Sequence, residues 1–165
     1  MNDSVSLEAF LSCRLIPLDK NPGLRPIGIG EVLRRIVGKA VMFVLKNDII
    51  EANGNLQLCA GQPSGAEVAI HAAVDLFNDD ENHGILQIDA KNAFNSINRL
   101  VTLHNLKILC PVFATFVINC YARPSRLFIL GGEELSSEEG TTQGDPIAMS
   151  MYAMGILPLL LLLNV

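Results

Sequence analysis

Residues 146–165 run for twenty positions without a charged side chain and include five consecutive leucines, Leu159 to Leu163. A segment of this kind must bury itself, either in a protein core or in lipid. Pro158, Gly155 and Ser150 interrupt it, no basic residue flanks it, and an acidic turn precedes it. These features favour a buried core helix over a membrane span. Pro146 stands where such a helix begins, a position at which the missing N–H costs nothing. The chain around it has 165 residues and is half apolar. That is enough for one domain with a sizeable core and excludes a disordered polypeptide.

Charge is unevenly spread. The net charge of −5 argues against a free-standing nucleic-acid binder, which needs Lys and Arg for phosphates. Residues 14–46 nevertheless carry Arg14, Lys20, Arg25, Arg34, Arg35, Lys39 and Lys46 against Asp19 and Glu31 only. The remainder is acidic, with clusters at Asp79-Asp80-Glu81, Glu133-Glu134 and Glu138-Glu139. A basic first third joined to an acidic body suits a polyanion held on one lobe and a cation on the other, although solvated surface charge explains the composition equally well. Cys13, Cys59, Cys110 and Cys120 lack the spacing of a zinc site and read as reduced, mostly buried thiols in an intracellular setting, cytoplasmic or nuclear. His71, His83 and His104 are scattered. Residues 1–10 carry acids and no long apolar run, so no signal peptide is expected there.

Periodicity predicts the elements. Residues 14–30 read as strand, turn and strand, with Lys20-Asn21-Pro22-Gly23 as the turn. Residues 31–50 read as an amphipathic helix with Val32, Leu33, Ile36, Val37, Ala40, Val41, Val44 and Leu45 inward and Arg34, Arg35, Lys39 and Lys46 outside that stripe. A second helix is predicted over 65–77, with Val68, Ala69, Ala72, Ala73 and Leu76 inward, then a polar break over 78–84. Residues 84–89 read as a buried strand. Helices follow over 100–109 and 111–121, then a hairpin with Gly131-Gly132 at its turn. The sum is one α+β body.

Two stretches carry candidate chemistry. Asp89 ends an apolar run, and a strand end would present its carboxylate at a cleft to a hard cation, unless it merely caps the next helix. Phe94 could pack under a sugar and block a 2′-hydroxyl, or be a core aromatic. Lys20 and Arg25 could neutralise a triphosphate, or be exposed loop charge. Residues 140–146 form a turn whose Gly144 lets backbone approach a base pair closely, or simply a loop entering a helix.

Taken in order, Arg14-Leu-Ile-Pro-Leu-Asp-Lys-Asn-Pro-Gly-Leu-Arg-Pro-Ile-Gly, Asp89-Ala-Lys-Asn-Ala-Phe-Asn-Ser-Ile-Asn and Glu139-Gly-Thr-Thr-Gln-Gly-Asp-Pro resemble the reverse transcriptases of retrotransposons. The resemblance spans nearly the whole chain. It implies a right-hand polymerase: a fingers-like region over 1–84 and a partial palm over 85–165, with an antiparallel sheet and packed helices. It implies RNA-directed DNA synthesis by a two-metal mechanism with Mg2+ or Mn2+, on an RNA template with a DNA primer and deoxynucleoside triphosphates, away from any membrane. Asp89 would be the first metal-binding aspartate, helped by the Ala90 carbonyl. Phe94 would be the sugar gate, Lys20 and Arg25 would hold the triphosphate, and Gln143 and Gly144 would line the nascent base pair. Arg34, Arg35 and Lys39 would touch template phosphates, a heteroduplex being held by backbone and shape.

The family also carries a later hairpin with an aromatic-Ala-Asp-Asp motif, which does not occur before Val165. Asp79-Asp80 precedes Asp89 and cannot replace it. The expectation is therefore a domain truncated in the palm, inactive by itself and poorly soluble. The alternatives are a non-catalytic nucleic-acid-binding module, a non-functional retroelement remnant, and a small membrane protein anchored by residues 146–165.

Overall fold

A computed structural model of the chain describes residues 3–79 and 84–163. Part of the expected polar break, residues 80–83, and the ends of the chain at residues 1, 2, 164 and 165 lie outside the described residues. The chain opens with helix α1 (Asp3–Leu11), then the hairpin β1 (Cys13–Asp19) and β2 (Leu24–Gly30). Its turn is closed by Lys20 N–H donating to the Gly23 carbonyl (3.0 Å). Helices α2 (Val32–Val44), α3 (Lys46–Asn53) and α4 (Gly65–Asp79) follow. After residue 84 come the single turn α5 (Ala93–Ser96), α6 (Arg99–Leu109), α7 (Pro111–Tyr121), the hairpin β3 (Ser125–Ile129) and β4 (Glu134–Ser137), and α8 (Ala148–Leu163).

The fold is α+β, with helices packed about a four-stranded sheet of order β2-β1-β3-β4. The antiparallel pairing expected holds within each hairpin. The join between them is parallel, Cys13 to Leu127 through Leu15 to Ile129, so the sheet is mixed. This parallel pair also unites the first and second halves of the chain in one sheet.

The uncharged segment becomes the core helix. Ile147, Met151, Met154 and Leu157 are buried, against Leu103 and Leu106 of α6, Phe113 and Val117 of α7, and Ile49 of α3. Its last turn, with Leu159 and Leu161 to Leu163, is exposed, as is Met149 near its start. Among the described residues, no helix is long and apolar enough to cross a membrane.

Four expectations are corrected. Residues 84–89 form no strand: Ile85, Leu86 and Ile88 are 64%, 84% and 73% exposed, and among the described residues no strand pairs with them. The predicted helix over 31–50 is two helices meeting at Leu45. Its Glu31 caps the first turn, the carboxylate accepting from the N–H groups of Leu33 (2.6 Å) and Arg34 (3.4 Å). The helix is also rotated from its apolar stripe. Arg34 and Gly38 are the buried residues of α2, while Val32, Leu33, Ile36 and Val44 are exposed. The ion pair that Arg34 makes inside the fold sets this rotation, and part of the apolar stripe lines an open groove between α2 and α7 instead. Helix α4 forms over nearly the predicted range, but Val68, Ala69, Ala72, Ala73 and Leu76 are all exposed.

The thiols sort by burial. Cys13, Cys110 and Cys120 are buried and Cys59 is exposed. A thiol reagent added to the native chain is expected to modify Cys59 alone, with the other three reacting on unfolding, as mass spectrometry of the labelled peptides would read. Rapid native labelling at Cys13 or Cys120 would contradict the packing of β1 and α7.

Candidate functional site

Three segments distant in sequence meet at one cleft of about 190 Å3. The β1–β2 hairpin brings Lys20, Leu24, Arg25 and Pro26. The turn leading into and through α5 brings Asp89, Ala90, Asn92, Ala93, Phe94 and Asn95, and the loop before α8 brings Gln143. Two cations therefore face one carboxylate across a space open to solvent, with an aromatic ring and a carboxamide on its walls. Lys20, Arg25 and Asp89 are themselves exposed. A second cleft of about 230 Å3 adjoins it, sharing Pro26, Asn95 and Gln143 and extending past Gly28 to Glu138, Glu139 and Thr142.

Local structure explains how Phe94 and Gln143 come together. Asn92 adopts a left-handed backbone (φ +52°), a conformation that Asn tolerates, and turns the chain into α5. The Phe94 carbonyl accepts from the Thr141 N–H (2.6 Å) and hydroxyl (3.3 Å). Its ring packs on Tyr152 of α8, centroids 5.1 Å apart and planes tilted by 39°. Gly140 donates to the Ile97 carbonyl (3.0 Å) and lies so close that a Cβ would stand 2.4 Å from the Phe94 oxygen. On the hairpin side, the Gly28 N–H donates to the Gln143 carbonyl (2.8 Å). Gly144 has φ +106°, and a Cβ there would lie 2.8 Å from the Gly28 oxygen. Any side chain would push the loop off the hairpin.

The loop is held from beneath by a buried polar network. Arg34 Nη2 pairs with Asp145 Oδ2 at 2.5 Å, the two side chains 5% and 8% exposed. Arg34 Nη1 donates to the Leu11 carbonyl (3.0 Å). The Tyr121 hydroxyl donates to the same Asp145 oxygen (2.8 Å) and accepts from the Thr142 N–H (3.2 Å). Asp145 Oδ1 accepts from the Ile147 N–H (3.1 Å), fixing the start of the core helix. Arg99 donates to the carbonyls of Gly140 (2.9 Å), Ser137 (2.7 Å) and Glu139 (2.7 Å) and to the Ser137 hydroxyl (2.8 Å). The guanidinium carbons of Arg34 and Arg99 stand 5.4 and 5.3 Å from the Tyr121 ring centre.

Electrostatics follow this burial. Burial works to lower the Arg34 pKa, but Asp145, with Tyr121, outweighs it and leaves Arg34 more firmly charged. Burial lowers that of Arg99, against the pull of Tyr121 and Glu139. Burial and then Asp145 push the Tyr121 hydroxyl far above its ordinary value. Burial raises the thiols of Cys13 and Cys120 as well.

Of the residues picked from sequence, Lys20, Arg25, Asp89, Ala90, Phe94 and Gln143 line the cleft, and Gly144 packs behind Gln143 on the hairpin. Arg35 and Lys39 are exposed on α2, outside the cleft wall. Arg34 does not sit on the surface that its periodicity implied, so a contact with template phosphate is replaced by the ion pair with Asp145. Arg99, Tyr121 and Asp145 escaped notice as functional residues. No local signal marks them: in sequence Arg34 looks like Arg35 and Lys39, and the partners of this network lie 21 to 111 residues apart. For a divalent cation the cleft wall offers one carboxylate, Asp89, and the Ala90 carbonyl. Among the described residues no group of three or more His, Cys, Asp or Glu side chains is placed to hold a metal ion. This donor set does not by itself complete a two-cation cage. Neither a protein-family model nor a curated protein matches the chain.

Arg34→Met leaves Asp145 buried without its cation and is expected to cost roughly 3–5 kcal/mol of stability. Urea unfolding would measure it, and a loss below about 1 kcal/mol would show that the pair does not anchor the loop. Alkaline pH probes the same network. The folded chain retains protons on Cys13, Cys120 and Tyr121 that the unfolded chain releases. Their contribution is full at neutral pH and is lost as pH rises, from about 8.5 for the thiols and about 10 for the phenol. The melting temperature should therefore fall through this range, and less steeply above pH ~10 in Tyr121→Phe.

Proposed function

We propose that this chain is the fingers and partial palm of an RNA-directed DNA polymerase of the reverse-transcriptase type, from a retrotransposon. It takes a deoxynucleoside triphosphate and an RNA template with its DNA primer. The observation that carries this reading is the single cleft in which Lys20 and Arg25, Asp89 and Ala90, Phe94, and Gln143 line the same space. Three motifs chosen for one chemistry converge there, although they are 64 and 49 residues apart, from Arg25 to Asp89 and from Phe94 to Gln143. The roles follow from the side chains. Lys20 and Arg25 neutralise the triphosphate. Phe94, whose ring packs on Tyr152, is the residue that on this reading would exclude a 2′-hydroxyl. Gln143, held to Gly28, faces the base.

Asp89 and Ala90 would supply one carboxylate and one carbonyl to Mg2+ or Mn2+, the ion that in a complete domain polarises the reacting phosphate. Among the described residues Asp89 is the one carboxylate lining the cleft, and on this reading the chain by itself would bind its substrates without extending a primer. The same observation favours a second reading, a nucleic-acid-binding module without catalysis.

Calorimetric titration with a deoxynucleoside triphosphate tests the proposal. The wild-type chain is expected to bind it, with Lys20→Ala/Arg25→Ala weakening the affinity by about tenfold or more. Phe94→Ala should narrow the preference over the matching ribonucleotide. Binding to a primer–template should weaken steeply with salt. A wild-type chain that takes up neither ligand at low salt would overturn both readings.

A further inference from the structure

Tyr121 has no place among the motifs that select the cleft, yet it contacts the cleft loop from below. Its hydroxyl spans the turn 142–145, accepting from the Thr142 N–H (3.2 Å) and donating to Asp145 Oδ2 (2.8 Å). The turn is closed by Asp145 N–H donating to the Thr142 carbonyl (3.0 Å). Gln143 and Gly144 are the two residues between these anchor points. The Tyr121 ring is 2% exposed and is contacted by two guanidinium groups, each rooted elsewhere: Arg34 on the Leu11 carbonyl, Arg99 on the carbonyls of residues 137, 139 and 140. A phenol so placed cannot swing away, and its oxygen sets the height of the turn above the core. On the opposite side Gln143 has one backbone tether, to Gly28 on the hairpin that carries Arg25.

We propose that Tyr121 is a positioning residue for base recognition: through its hydroxyl it fixes the turn 142–145, so that Gln143 is presented to the nucleobase while Lys20 and Arg25 take the phosphates. This rests on reading the cleft as a nucleotide site. It divides the cleft into two parts. The phosphate end, built on the β1–β2 hairpin, is independent of Tyr121. The base end, built on the loop, depends on it. Asp145 is thereby an anchor of the loop, its carboxylate consumed by Arg34, Tyr121 and the Ile147 N–H.

Tyr121→Phe tests the proposal, because it removes one oxygen and leaves the ring against its two arginines. Two probes are titrated against wild type and variant: a deoxynucleoside triphosphate and inorganic tripolyphosphate. The variant is expected to bind the nucleotide roughly tenfold more weakly, about what loss of a buried hydrogen-bonded contact gives. Tripolyphosphate affinity is expected to be unchanged. Amide hydrogen exchange should quicken at residues 142–144 and not in β1 or β2. Equal nucleotide affinity in the two proteins would overturn the positioning role while leaving the nucleotide site standing. Parallel loss of nucleotide and tripolyphosphate binding would also overturn it, by showing a general weakening of the fold. A wild-type chain that binds tripolyphosphate but gains nothing from the base and sugar would overturn the reading of the cleft itself.

Discussion

The Arg34–Asp145 ion pair is the contact on which the rest of the arrangement depends. It joins residues 111 positions apart, is nearly closed to water, and meets three elements at once. Arg34 turns α2 so that its charged residue, and not its widest apolar stripe, faces inward. Asp145 holds the Tyr121 hydroxyl and the first amide of the core-helix entry. A buried charge pair gives little net stability over an apolar pair of equal volume, since both ions lose their water. Its effect is directional: an unpaired charge at either position is so costly that only one register of helix, loop and core helix avoids it.

Arg99 does for the front of the loop what Arg34 does for the back. Its donors reach the carbonyls of Ser137, the last residue of β4, and of Glu139 and Gly140 in the irregular backbone that follows. Irregular backbone packed against a core must find hydrogen bonds somewhere. Here one guanidinium serves three carbonyls, and the Tyr121 ring beside it attracts both arginines. The cleft is thus rigid where the loop and hairpin meet and open where Asp89 stands. Residues 84–90 lie exposed without regular structure, so Asp89 is the least braced of the cleft residues.

Much of the architecture was legible in order and type. The two hairpins, the helices over 99–109 and 111–121 and the core helix follow from turn chemistry and 3.6-residue periodicity. The failures share one cause. Residues 84–89 have the composition of a strand, but a strand exists only when another pairs with it, and none does among the described residues. Helix α4 has an apolar content that predicts burial, yet nothing covers it among the described residues. Helix α2 has an apolar stripe that predicts its inward face, and a single ion pair with a distant loop rotates it. Local pattern specifies what a segment can form; the presence of a partner decides whether it does.

By itself the sequence determined the cast of the cleft: cations on a Pro-Gly hairpin, an acid and a ring five residues apart, and a glycine-bracketed turn before an uncharged helix. These are short-range properties of residue type and spacing. Tertiary structure alone decided that the three meet in one space, that Arg34 is an internal anchor and not a surface cation, and that Tyr121 and Arg99 carry the loop. The physical reason is that a buried charge or phenol has to be satisfied by whatever the fold brings to it. In this chain that is a carboxylate, an amide and four carbonyls lying between 21 and 111 residues away.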